Sequence, residues 1–341
     1  MASRARGTYP ARVTRRARTV RRAVWGPIWV AALVLLYWCF GERVREGLGL
    51  PGDGLAPAKT AGLRIVTWNL HNFPEPSQDQ ERLQGRLKGL GADVLAIQEI
   101  HDPAALQALL PGWQLALMTV AVMVLLPSAR ARSWTKVKIA KHLFEHRYDY
   151  RAEHAELGMR GHVRPGLSVY LRGQGGGPDF HVLVVHLKAK GEGHPLRVQQ
   201  WRLLAEIARD LLRRDPDLVI LGDFNATGPA GGSPGDELAA LEGRLGPLGL
   251  RRLVGPDSCS AYWDGARRDA WHEPSLLDLV WVAGLTESQS AAAQAHPLHH
   301  CARHRCQAFR STGAHPEPDY ADLSDHCPVV VDLAAGQDDD P

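Results

Sequence analysis

What the chain has little of narrows its class first. Only five cysteines occur in 341 residues, so a small disulfide-built scaffold is excluded. No internal repeat is visible, which removes solenoids and propellers. Beyond residue 41 no apolar run is long enough to cross a bilayer. The longest, Trp113 to Leu126, is short, is soon followed by Arg130 and Arg132, and is expected to be a buried strand pair. With 45% hydrophobic and 23% charged residues, wholesale disorder is excluded too. What remains is an enzyme-sized domain with attachments.

Acidic charge is almost missing from the N-terminus. Residues 1–45 hold ten arginines against one acid, and the remainder holds 30 basic against 36 acidic residues. The net charge of +3 therefore belongs to an arm, and charge alone gives the main domain no broad affinity for a phosphate backbone. Between Arg22 and Glu42 lies an uncharged run, residues 23–41, with Trp25, Trp29, Tyr37 and Trp38 toward its ends and Pro27 in its first turn. As a helix it would reach about 28 Å, close to a bilayer core. The preceding arginines predict a cytoplasmic N-terminus and a domain on the far side of the membrane. A cleaved signal, with Arg15-Arg16 or Arg21-Arg22 as a twin-arginine element, and a buried helix are the competing readings.

These features divide the chain into a basic arm (1–22), a membrane anchor (23–41), a linker rich in Gly, Pro and Ala (42–61), a domain (62–334) and an acidic tail (335–341). Within the domain, short β-branched runs alternate with helical patterns. Strands are expected near 63–68, 93–97, 167–171, 180–187, 218–221, 276–282 and 328–333, and helices near 78–90 and 195–214. Many strands and few helices predict an α/β architecture of packed sheets with helices outside.

Several apolar runs stop abruptly at residues suited to metals or phosphate, where a strand end holds a side chain rigidly at a cleft. Thr-Trp-Asn69-Leu, Ile-Gln-Glu99, Val-His186-Leu-Lys, Gly-Asp223-Phe-Asn225 and Ser-Asp325-His326 occur in that order. Together they resemble the endonuclease/exonuclease/phosphatase superfamily that includes deoxyribonuclease I, over about residues 62 to 334. The resemblance implies a four-layer α/β sandwich, two mostly antiparallel sheets face to face between helices, here preceded by one transmembrane helix.

It also implies a division of labour. Glu99, with Asn69 and Asp325, would hold Mg²⁺ or Mn²⁺, since oxygen donors suit hard ions and no cysteine joins the set. Asp223 would activate water, Asn225 would hold a phosphoryl oxygen, and His186 and His326 would donate to the phosphate. Asp278, alone among apolar residues, would pair with His326.

Departures bear on substrate. Glu99 is followed by Ile-His rather than the Thr-Lys usual in abasic-site enzymes, and Thr227 and Leu279 stand where inositol polyphosphate 5-phosphatases usually carry Arg. Lys188, Arg197 and Arg164 could line a basic rim for a phosphodiester chain, or simply face solvent. Trp201, Tyr262 and Trp263 could flank the cleft or be core. Cys301–Cys306 is the expected disulfide, a zinc clip being the alternative. The expected activity is metal-dependent phosphodiester hydrolysis, with nucleic acid ahead of lipid or small esters as substrate and no protein partner implied.

Overall fold

The computed structural model describes residues 56–59, 62–118, 122–127, 141–143, 148–155, 166–173, 179–229, 232–264, 269–285 and 294–333. The basic arm, the run at 23–41, Arg164 and the acidic tail lie outside these residues. Among the described residues no helix is long and apolar enough to cross a membrane.

In chain order the strands are β1 (Leu63–Phe73), β2 (Val94–Ile100), β3 (Trp113–Met118), β4 (Val122–Pro127), β5 (Lys141–Leu143), β6 (Tyr148–Ala155), β7 (Gly166–Gly173), β8 (Asp179–His186), β9 (Leu218–Asp223), β10 (Arg251–Arg252), β11 (Ala261–Trp263), β12 (Trp271–Ser275), β13 (Asp278–Ala283), β14 (Ala295–Pro297), β15 (Phe309–Arg310) and β16 (Val329–Leu333). The helices are α1 (Gln80–Gly89), α2 (Pro103–Leu109), α3 (His194–Leu212), α4 (Pro234–Leu245), α5 (His299–His304) and α6 (Pro318–Asp322).

One sheet runs β14-β16-β1-β2-β4-β3, a second β10-β13-β9-β8-β7-β6-β5, and a small third one β11-β12-β15. Within the two large sheets only β1–β2 and β8–β9 are parallel. The expected strand pair at 113–126 is present as β3 and β4.

Period-two alternation sorts the layers. Leu63 and Ile65 of β1 point into a core shared with Val182, Val184, Leu221 and Val280 of the second sheet. Val66, Trp68 and Leu70 of the same strand point the other way, onto Leu83 and Leu87 of α1 and Leu106 and Leu109 of α2. Trp201, Leu204 and Ala208 of α3 and Leu238 and Leu241 of α4 join the first cluster from the second sheet. Trp201 is thus core rather than cleft.

The helices begin where the sequence caps them. Asp79 and Asp102 accept first-turn N–H groups of α1 and α2, and Ser233 with Asp236 makes a capping box on α4.

Residues at the end of the expected linker touch the domain: Ala56 packs on the second cluster, Pro57 O accepts from Arg64, and Lys59 pairs with Asp93. One expectation is corrected here. The disulfides are Cys259–Cys306 and Cys301–Cys327, not Cys301–Cys306. The fold brings Cys327 to Cys301 on α5 and Cys259 to Cys306 in the turn after it, and the four cysteines pack with Tyr262 and Phe309 in a third cluster.

Candidate active site

Strand register assembles the first half of the site. In the parallel β8–β9 pair His186 stands opposite Asp223, and in the antiparallel β13–β9 pair Asp278 stands opposite Asp223. Three of the expected site residues thus lie abreast at the ends of three neighbouring strands. Gly222 makes this close approach possible. A Cβ there would fall 2.0 Å from the Val185 carbonyl oxygen, and its φ of 132° suits glycine alone.

From the other sheet come Asn69, on β1, and Glu99, on β2. Asn69 Nδ2 donates to Asp223 Oδ2 at 3.1 Å, tying the sheets together across the cleft. His186 Nε2 lies 3.4 Å from both Glu99 Oε1 and Asp223 Oδ2. Glu99 (φ 60°) and Asn225 (φ 51°) adopt the left-handed conformation, as do His71 and Asn72. Such strain in non-glycine residues concentrates at functional sites.

The second half arrives on the loop before β16. His326 Nδ1 and Asp278 Oδ2 are 2.7 Å apart, both groups buried, so the other imidazole nitrogen is left for the cleft. Ser260 Oγ accepts from the backbone N–H of Leu277 and Asp278, while Ser324 Oγ donates to Asn69 O and accepts from His326 N. Asn225 Nδ2 donates to Leu187 O.

The charges act on one another strongly. Burial, reinforced by Asp278 and Glu99, pushes the Asp223 carboxyl up to about 7 against the opposing pull of His326 and the Asn225 N–H. Burial alone would lower the His326 pKa. The attraction of Asp278, Asp223 and Asp325 outweighs it and holds the imidazole well above its ordinary value.

Asp325 is turned to a histidine that the motif reading passed over. His71 Nδ1 lies 2.8 Å from Asp325 Oδ1, and this hydrogen bond is the main cause of the raised His71 pKa. Partial burial opposes ionisation of Asp325, but His71 and His326 hold its pKa below the usual range. His71 N also donates to Asn69 Oδ1, and Asn72 N to Glu99 Oε2. The legible signal for His71 was its place, a polar residue two positions beyond a strand-end amide.

A divalent cation fits this chemistry. Among the described residues Glu99, His186 and Asp223 present ligand atoms within 4.8 Å of one another, and a cation there would counter the burial, and the lesser repulsion from Asp278 and Glu99, that raise the Asp223 pKa. The expected set differed, giving Asn69 and Asp325 where the cluster has His186 and Asp223. One oxygen of each of Asn69 and Asp325 is engaged by His71: Asn69 Oδ1 accepts from His71 N, and Asp325 Oδ1 lies beside His71 Nδ1.

The rim is reduced. Arg197 is fully buried, paired with Glu237 through Nε and Nη2 and donating to the carbonyls of Lys188, Lys190 and Gly228. Lys188 is half-buried, with its N–H held by Gln200. Tyr262 is core, whereas Trp263 is exposed.

Residues 66–326 match the model of the Endonuclease/Exonuclease/phosphatase family. The chain belongs to that family. This family member is a phosphoesterase, and the family is typically dependent on divalent metals. Among solved structures it is similar in fold to D. rerio TDP2 complexed with single strand DNA product (15% identity, 80% of this chain and 99% of that one, TM-score 0.51). Truncated Caenorhabditis elegans TDP2 (14%, 82% and 100%, 0.52) and a functionally unknown conserved protein from Enterococcus faecalis V583 (14%, 80% and 100%, 0.50) share the fold as well. No curated protein matches the sequence.

Proposed function

We propose that this phosphoesterase hydrolyses phosphodiester bonds in nucleic acid with Mg²⁺ or Mn²⁺ as cofactor. The observation that carries the reading is the meeting of Asp223, its pKa near neutrality, with the buried His326–Asp278 pair beside the Glu99–His186–Asp223 cluster. Glu99, Asp223 and His186 would hold the ion, with Asn69 and Asp325 near it, and a bound ion would neutralise phosphoryl charge.

The chain's own residues supply the rest. Asp223 orients a water and takes its proton, its carboxylate held in place by Asn69 Nδ2 and the Asn225 N–H. His326, charged and anchored by Asp278, donates from its free nitrogen to the phosphoryl oxygens, and Asn225 fixes their position. Nucleic acid is favoured as substrate because a protein of like fold, D. rerio TDP2, carries a single strand DNA product. In the same reading residues 23–41 anchor the domain outside the cytoplasm, where two disulfides persist.

The test uses the full-length chain in detergent, with and without Mg²⁺, on plasmid DNA, single-stranded oligonucleotides, and sphingomyelin and phosphatidylinositol vesicles. Metal-dependent nicking or oligonucleotide cleavage, lost on the order of 10³-fold in Asp223→Ala, is expected. Lipid turnover without DNA cleavage would overturn the nucleic-acid reading.

A further inference from the structure

The third cluster, around α5, holds four cysteines, and two of them have a further metal-binding group beside them. Among the described residues His300, Cys301 and Cys327 present a ring nitrogen and two sulfurs within 4.8 Å of one another. His300 is 1% exposed and both cysteines are wholly buried. In the oxidised chain the two sulfurs are bonded to each other, and the imidazole faces a bond in which it takes no part.

The hydrogen bonds of His300 are those of a metal ligand. Its Nε2 lies 3.5 Å from the Asp325 carbonyl oxygen, while its buried Nδ1 has no hydrogen-bond partner. Burial keeps the ring neutral, with a pKa of about 4. A carbonyl can only accept, so Nε2 carries the hydrogen and Nδ1 the lone pair, the arrangement in which second partners orient metal-bound histidines. Without an ion a polar nitrogen buried in this way is destabilising. The sulfur side matches, because Cys301 N donates to Cys327 Sγ at 3.2 Å, a bond that strengthens when the sulfur is a thiolate. The neighbouring histidines are engaged elsewhere: His304 Nε2 lies 3.0 Å from Glu317 Oε2, and the His299 ring packs edge-on against Trp68.

We propose that the thiol form of this lobe binds a Zn²⁺ ion through Cys301 Sγ, Cys327 Sγ and His300 Nδ1. Each chain has that form before oxidation, and returns to it when a dithiol reduces the bond, two thiols forming as the dithiol becomes a disulfide. The ion then displaces the two thiol protons. Thiolate and imidazole donors select a borderline-soft ion, whereas the oxygen-rich active site suits a hard one, so the two sites take different metals. Two thiolates cancel the charge of the ion and the imidazole adds none, which makes the buried centre neutral. Recruiting Cys259 and Cys306 too would bury two net negative charges beside Tyr262 and Phe309, so a water completes the tetrahedron instead. The ion joins the same two residues as the disulfide, and thereby fixes the loop that carries His326 without oxidation. This holds whatever ester the enzyme cleaves.

The test reduces the full-length chain with a phosphine, removes the phosphine under nitrogen, and titrates Co²⁺. Sulfur-to-cobalt charge-transfer absorption reports thiolate ligands and is silent at the active site, which has no cysteine. Cys39→Ser with Cys259→Ser/Cys306→Ser is the background, leaving Cys301 and Cys327 as the only thiols. One Co²⁺ per reduced chain should give the absorption, and Zn²⁺ should bleach it. Cys301→Ser should remove most of it, and His300→Gln should weaken the affinity at least about tenfold. Zn²⁺ should also raise the melting temperature of the reduced background by more than that of the oxidised one. No absorption in the reduced background, absorption that survives Cys301→Ser, or an unchanged affinity in His300→Gln would each overturn the site. If the reduced chain unfolds when free of metal, Zn²⁺ must restore a cooperative melting transition, and failure to do so is equally decisive against it. None of these outcomes touches the phosphoesterase reading.

Discussion

The two halves of the active site are built by different means. His186, Asp223 and Asp278 stand abreast because three strands of one sheet pair in register, and the hydrogen-bond ladder holds them. His326 rides on a loop whose position depends on the Cys301–Cys327 bond, the bridge to Ala261 and the hydroxyl of Ser324. Regular sheet places the carboxylates and the histidine of the proposed metal site, whereas a cross-linked lobe delivers the imidazole that faces them. The first arrangement is as stable as the core, and the second should be separable from it.

Asp278 joins the halves, so its loss should cost most. Asp278→Asn should lower kcat on the order of 10³-fold while metal binding by calorimetry is retained. Its alkaline activity limb should move to lower pH, since His326 loses its main attraction. A kcat within tenfold of the parent would contradict the pairing as a catalytic element.

Next comes the bond that staples the lobe. Removing it in Cys301→Ala/Cys327→Ala should cost about 3 kcal/mol by denaturant unfolding and reduce kcat, with Mn²⁺ affinity changed little. Equal loss of metal affinity would mean that the halves are one unit.

The halves should also answer acid with opposite sign. Burial holds His299 at about 3 and His300 at about 4, so between those values and 6.5 the unfolded chain binds protons that the folded lobe does not. Lobe stability is therefore present above pH 6.5 and lost as pH falls through the folded values. Asp223, raised to about 7, works the other way: from about 7 down to 3.8 the folded state takes the extra proton and gains stability. At pH 5 the amides of α5 should lose hydrogen-exchange protection before those of β9. His300→Gln should recover about 2 kcal/mol of that local loss, and unchanged protection in this variant would refute the assignment.

The smallest effect is expected at the rim. Lys188→Ala should change oligonucleotide kcat/KM less than about threefold and flatten its salt dependence slightly, because a half-exposed lysine at a loop gives one screened phosphate contact.

Much of this was legible beforehand because it is local. Ile-Val-Thr-Trp-Asn69 and Leu-Gly-Asp223 show in one dimension both the strand and the polar residue at its end, and period-two alternation assigns layers without long-range knowledge. Arg197 was misread for an equally physical reason. A lysine-rich neighbourhood suggests solvent, and only the approach of α4 reveals that Glu237 neutralises the guanidinium in the interior.

By itself the sequence determined the strands that lead into the reactive residues, the order of those residues and the family they mark, since each motif depends on neighbours within about ten positions. Tertiary structure decided what depends on distant partners. Four domain cysteines permit three pairings, and only the meeting of residues 259 with 306 and 301 with 327 chose one. It also turned Asp325 toward His71 and bridged Ala261 to His326. Those contacts arise where separate strands and loops converge, and no local pattern encodes that convergence.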